Sequence, residues 1–405
     1  MPQSPLKTKD VEAKAKEGEE SGMVTRARSQ AKVSSAVSSD KENGGTVRSA
    51  GIEAQVIPLF SEPSARPGSP LKSKSSSSRP GSPTKSTKAP ASMTTRERLI
   101  LLNPPVSFFP RVYFGQLGNK MPPAVKILWV NHIESDGEGT IPEALKARIP
   151  QQTPNKSKPK VPKMCFSDNT RYKPGEYDRI WIAITDVLIN ADRYRHEGYH
   201  ESHWISYVVS PMLNLVSKLE CFNKDGKRIK ALDITQFKDL DKRIDCAFGL
   251  DLPTDQTLTL QRGVYAMKGA MDSINQTSSF VNFTPMFANF EVKRKNTNID
   301  PLIQLAAWIS AEFEKRKVED YSLDMPVLVI EIEGDEWGLH IVYVDREMVK
   351  DKGYGLRFVG PISLGDTKSL EGGFKLLDGL CRCADWGVGS YKDWFEKQIL
   401  QKYIY

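Results

Sequence analysis

The segment Phe290-Glu291-Val292-Lys293 sets a carboxylate and an ammonium two residues apart. In an extended strand, alternate side chains share a face. Glu291 and Lys293 therefore point together, and Phe290 and Val292 point to the other side. Upstream, Arg243-Ile-Asp-Cys-Ala-Phe248 places Asp245 on or just after a second strand, between apolar neighbours. Asp245 and Glu291 offer a hard divalent cation, Mg²⁺ or Mn²⁺, a partial oxygen sphere, and the Val292 carbonyl completes the protein side. Mg²⁺ keeps several waters, so few protein ligands suffice. The matching chemistry is phosphodiester hydrolysis. The ion activates a water and offsets charge on the pentavalent phosphorus, while Lys293 stabilises that charge or orients the water. Gln304, near the start of the next predicted helix, can reach the same water. Glu201, at the start of an earlier helix, can supply a carboxylate for a second ion. Asp251 and Asp255 compete with Asp245 as acidic candidates. Taken alone, the Glu/Lys spacing more often marks a solvated face or a surface pair of small energetic worth.

A rival reading comes from His196-Glu-Gly-Tyr-His200, which spells HExxH. On a continuous helix His196 and His200 share a face and bind zinc, with Glu197 as base and Glu220 as a third ligand, as in a metalloprotease. Gly198 weakens a helix at that point, and the flanking residues are polar. The plainer expectation is a charged, solvated helix start at which Glu favours the dipole.

These residues must be positioned by elements, and the pattern of elements implies an α/β body. Helices are predicted over 122–135, 178–191, 201–219 and 301–314, the last with Pro301 in its first turn. Strands are predicted over 229–232, 243–248, 289–294, 326–331 and 339–344, the final two antiparallel through a Gly334/Gly338 turn, with a further strand over 355–359. Residues 251–285 read as a long polar connection with short elements. Helical pattern returns over 369–386 and 391–405. Helices, then strands, then a helix, then strands again give a mixed central sheet flanked by helices.

The chain has 405 residues, with 57 Lys/Arg against 50 Asp/Glu for a net charge of +7. Residues 1–90 hold 15 of the basic and 9 of the acidic residues, so the excess lies almost entirely in this tail. Residues 1–92 lack apolar periodicity and are read as a disordered basic Ser/Pro/Lys-rich tail, since they cannot bury enough apolar surface to offset chain entropy. Residues 93–405 are read as one domain, with 151–163 a flexible loop. The tail repeats Arg-Pro-Gly-Ser-Pro at 66–70 and 79–83. Ser4, Ser69 and Ser82, each before proline, suit a proline-directed kinase, whose phosphate would cut the local positive charge. The same segments can lie along nucleic-acid phosphates, or serve as a solvated linker. Five cysteines with no CxxC pair exclude a disulfide scaffold and a structural zinc finger. No apolar run approaches a bilayer span and no signal peptide is visible, so an intracellular protein is expected.

Residues 272–313, with Asn275-Gln-Thr277, Glu291-Val-Lys293, Gln304 and Trp308, resemble the core of the fungal PD-(D/E)XK nuclease-like domain proteins. So do the helix opening Glu201-Ser-His-Trp204 and running to Pro211-Met-Leu213, the earlier Met121-Pro and Gly139-Thr-Ile-Pro142, and the later Glu331, Trp337, Gly360-Pro-Ile362 and Gly365-Asp-Thr367. The resemblance covers roughly residues 70–400. It implies a restriction-endonuclease-like fold and a metal-dependent nuclease. Asp245, Glu291 and Lys293 then take the metal and catalytic positions, with Glu201 and Gln304 as accessories. The implied partner is nucleic acid, DNA rather than RNA, and the basic tail points to the nucleus. The alternative is the same fold retained as a catalytically inactive binding protein.

Overall fold

A computed structural model describes residues 99–404, apart from the short stretches 111–119, 134–137, 150–160, 169, 199, 225, 236–243, 269–271, 277–280, 296–299 and 350–352. The tail over 1–92 with Ser4, Ser69 and Ser82, and most of the loop over 151–163, lie outside the described residues. Strands β1 (Val106–Pro110), β2 (Ile141–Pro142), β3 (Phe166–Ser167), β4 (Ile229–Asp233), β5 (Cys246–Leu250), β6 (Met286–Lys293), β7 (Val327–Glu333), β8 (Glu336–Asp345) and β9 (Gly355–Asp366) alternate with helices. The helices are α1 (Pro123–Ile133), α2 (Tyr177–Glu197), α3 (Glu201–Trp204), α4 (Ser210–Ser217), α5 (Thr254–Lys268), α6 (Pro301–Val318), α7 (Leu370–Trp386), α8 (Lys392–Phe395) and α9 (Gln401–Ile404). A π turn, Ile205–Val209, joins α3 to α4.

Seven strands form one mixed sheet in the order β1-β9-β8-β7-β6-β5-β4, and β2 pairs with β3 separately. Two neighbour pairs of the large sheet are parallel, β1/β9 and β6/β7. The second is joined by α6, as a parallel pair requires a crossover. Each face of the sheet carries its own core. Phe290, Val292, Ile330 and Ile332 pack with α2, α4 and α7. Val327, Val329, Val342 and Phe358 pack under α6 through Leu305, Trp308 and Ile309. All eight residues of β6 are buried, which is the expected state of a central strand covered on both faces.

Several elements differ from the sequence expectation. The 251–285 connection contains a full helix, α5. Only Leu260 and Val264 are buried along it, so its apolar stripe is too thin to stand out. β1 forms between prolines, because an outer position in the sheet tolerates missing donors. β5 runs over Cys246–Leu250 rather than 243–248, and β9 extends to Asp366. Helix α2 continues six residues past Ala191.

Phe290 has no exposed surface and meets Phe248 edge-on, with ring centroids 5.3 Å apart. Phe290→Ala is expected to cost about 3–5 kcal/mol of stability, read from urea unfolding. A loss under about 1 kcal/mol would show that this strand is not the packed centre of the domain.

Candidate active site

The end of β6 is held on every side. The carbonyl of Lys293 accepts a hydrogen bond from the amide of Gly334 at 2.9 Å. Gly334 has φ +58°, a left-handed turn conformation that favours glycine. The adjoining Asp335 is buried. Both its carboxylate oxygens accept from Arg195, at 2.8 and 2.6 Å, and one also accepts from the Thr367 hydroxyl at 3.1 Å. Arg195 belongs to the last turn of α2. This network therefore fastens the helix that precedes Glu201 to the hairpin beside Lys293.

Asp245 lies immediately before β5. The register Cys246↔Phe290 brings it to the level of Glu291. Its amide donates to the Phe290 carbonyl at 3.0 Å, and its carboxylate accepts from the Val292 amide at 2.8 Å. A side chain thus takes the amide that a continuing ladder would have used, which is why regular pairing starts one residue later. Asp251 and Asp255 sit beyond the opposite end of β5. Asp251 faces Lys230 at 3.4 Å, and Asp255 is in the first turn of α5. A five-residue strand spans about 17 Å, so neither acid reaches Glu291.

Glu291 is completely buried. The Lys293 ammonium lies 2.6 Å from its Oε1, and neither carboxylate oxygen makes a hydrogen bond of good geometry. Lys293 also donates to the Val292 carbonyl at 3.0 Å and to Glu201 Oε1 at 3.2 Å. The ammonium therefore rests on the oxygens that sequence reasoning assigned to a cation, Glu291 and the Val292 carbonyl. Glu201 stands here as the partner of Lys293. Burial pushes the Glu291 carboxyl up to about 8, the Asp245 charge adds to this, and Lys293 opposes it without cancelling it. Burial alone would lower Lys293. The charge of Glu291, assisted by Asp245 and Glu201, outweighs that and holds the ammonium above its usual range.

Gln304 lies in the first turns of α6 and is exposed. One helical turn on, the Trp308 indole N–H donates to Asn289 Oδ1 at 3.2 Å. Helix residues i and i+4 stack about one turn apart, and strand residues i and i+2 are separated by about 6–7 Å. Anchoring Trp308 over Asn289 therefore brings the preceding turn of α6, which carries Gln304, toward the C-terminal end of β6. The Asn289–Trp308 pair was not read from sequence; a buried Asn in an otherwise apolar central strand was the available signal. Arg294 and Lys295 follow directly on the strand and are exposed.

The HExxH residues do not form a zinc site. Helix α2 stops at Glu197, and Gly198 caps it at φ +66°. His200 belongs to the next helix as its N-cap, its ring accepting from the Ser202 amide at 3.3 Å. His196 is exposed and bonded to the Asp192 carbonyl at 2.8 Å, and Glu220 is paired with Lys173. The helical break, which Gly198 makes easy, removes the shared face that the motif needs. Among the described residues, no three His, Cys, Asp or Glu side chains converge in a geometry that would hold a metal ion, and no helix is long and apolar enough to cross a membrane.

For Asp245 and Glu291 the fit to a divalent ion rests on the donor set itself: hard oxygen ligands, one of them a fully buried carboxylate with an unsatisfied Oε2. A buried charged group in that state is costly, and a cation would relieve it. The family model for the PD-(D/E)XK nuclease superfamily matches residues 150–392. No curated protein and no solved structure matches the chain.

The raised Glu291 carboxyl carries a pH signature. The unfolded chain releases this proton near the ordinary value of 4.5, whereas the folded protein keeps it until about 8. The stability that it contributes is complete below the lower value and is lost as pH rises through the higher one. In chelator, wild type is expected to lose more stability than Glu291→Gln between pH 5 and pH 8.5, by urea midpoints. Parallel pH profiles would contradict the burial of an ionisable group here.

Proposed function

As the chain belongs to the PD-(D/E)XK nuclease superfamily, we propose that it hydrolyses phosphodiester bonds of nucleic acid with a divalent ion, Mg²⁺ or Mn²⁺, held by Asp245 and Glu291. The observation that carries this reading is the meeting of two buried carboxyl groups and one buried ammonium at the ends of neighbouring strands. When bound, such an ion would supply Lewis-acid stabilisation of the phosphate and a more acidic water. Asp245 and Glu291 hold the ion through their carboxylates. Lys293, displaced from Glu291, presents its ammonium to the phosphate oxygens, where charge builds in the transition state. Glu201 keeps that ammonium at the strand end. Gln304, in the first turns of α6, orients the attacking water by hydrogen bonding. Arg294 and Lys295 offer phosphate contacts that position nucleic acid without reading its sequence. DNA is the favoured substrate. The basic Ser-Pro-rich tail adds non-specific attraction and favours the nucleus.

One observation favours a second reading, a nuclease-fold protein that binds nucleic acid without cleaving it. The Lys293 ammonium already occupies the Glu291 and Val292 oxygens, so a cation stands at these oxygens without a metal.

The purified full chain is expected to degrade plasmid or oligonucleotide with Mg²⁺ or Mn²⁺. Glu291→Ala, Asp245→Ala and Lys293→Ala should each lower the rate by about 100-fold or more. Undiminished cleavage by Lys293→Ala and Glu291→Ala would remove the assignment. Binding without cleavage, in wild type with either ion, would establish the second reading.

The contacts of Lys293 make a further, less intuitive prediction. Because its ammonium competes for the cation's oxygens, Lys293→Met is expected to bind Mn²⁺ more tightly than wild type while cleaving less. Weaker Mn²⁺ binding by this variant would show that the lysine assists the ion rather than competing with it.

A further inference from the structure

A third carboxylate stands in line with Asp245 and Glu291. The parallel register of β6 and β7 sets Glu331 beside Glu291. On its other flank the antiparallel register of β7 and β8 sets Gly338. A Cβ on residue 338 would lie 3.1 Å from Glu331 Oε1, so the missing side chain makes room for the carboxylate. His340, opposite Val329 on the same strand pair, brings its Nε2 to 3.0 Å from that Oε1. The imidazole is 2% exposed, and neither ring nitrogen makes a hydrogen bond. Its one close polar contact among the described residues is therefore the Glu331 carboxylate. Stability does not call for such a pair, because a polar contact in this setting contributes little over apolar residues of the same volume. Position does account for it. Three neighbouring strands each place a carboxyl group on one line, and the middle one, Glu291, is fully buried with an unpartnered Oε2.

We propose, on the basis of the divalent-ion reading above, that Glu331 is a third acidic member of the ion site and that His340 is its positioning residue. Glu331 acts on the hydration shell, accepting hydrogen bonds from waters that the ion carries, rather than bonding the ion directly. This agrees with the absence of three directly converging ligands among the described residues. It also suits Mg²⁺, which retains several waters at protein sites. His340 contacts Oε1 and so fixes the orientation of the carboxylate. Partners of this kind commonly change metal affinity by about 10- to 100-fold.

The test is calorimetric titration of Mn²⁺ into the metal-free full chain, without nucleic acid, alongside thermal unfolding of each protein. Glu331→Gln is expected to weaken Mn²⁺ binding by about 10- to 100-fold. His340→Phe should weaken it similarly, and His340→Gln, which retains an N–H donor, should weaken it less. Glu331→Asp keeps the charge while shortening its reach, and serves if the Gln variant does not fold; a partial loss of affinity is expected. Wild-type affinity in the folded Glu331 and His340 variants, with the loss caused by Glu291→Ala intact, overturns this inference and leaves the two-carboxylate site standing. If wild type binds no Mn²⁺, both readings fall together.

Discussion

The burial of the Glu291 carboxyl group beside the Lys293 ammonium is the constraint around which the rest of the domain is arranged. A carboxyl group with no exposed surface, in the central strand of a sheet covered on both faces, is unfavourable unless something offsets it. Lys293 does so only in part, since the carboxyl group remains well above its ordinary range. The fold tolerates this because the surroundings leave the strand end no freedom. Asp245 takes the Val292 amide, Gly334 takes the Lys293 carbonyl, and Arg195 with Thr367 immobilises Asp335 in the adjoining turn. Local strain and unsatisfied polarity of this sort persist where a site is over-determined by its scaffold.

The same arrangement explains how distant parts of the chain come together. Glu201, Asp245 and Glu291 come from three separate stretches of chain: the sheet register sets Asp245 level with Glu291, and Lys293 joins Glu201 to the same strand end. Helix α6 is both the crossover that makes β6 and β7 parallel and the element that carries Gln304. Its position over the sheet is set by apolar burial through Leu305, Trp308 and Ile309. A site assembled in this manner is held by rigid elements rather than by loops, which suits chemistry that depends on placement.

Much of this was legible in the amino-acid sequence, for physical reasons that can be named. Period-two alternation put Glu291 and Lys293 on one face, and Pro301 marked the start of α6. Gly198 argued correctly against the zinc reading, because a glycine so placed ends a helix readily. Other features were not legible. β1 hides between prolines, and α5 has an apolar stripe of two residues. The Glu331–His340 pair depends on cross-strand register, which no local pattern encodes. Asp245 was found among three acids, but which of them lies near Glu291 follows only from the direction in which β5 runs. Glu201 was expected to serve a second ion, whereas its carboxylate meets Lys293.

The parallel pairing of β1 with β9 joins residues 106–110 to residues 356–360. A single short segment near residue 100 thereby seals the outermost backbone of the long strand β9. Loss of that segment would leave a row of unpaired amides and carbonyls open to other chains, the usual template for edge-to-edge self-association. Five residues thus shield the first half of β9 from such pairing.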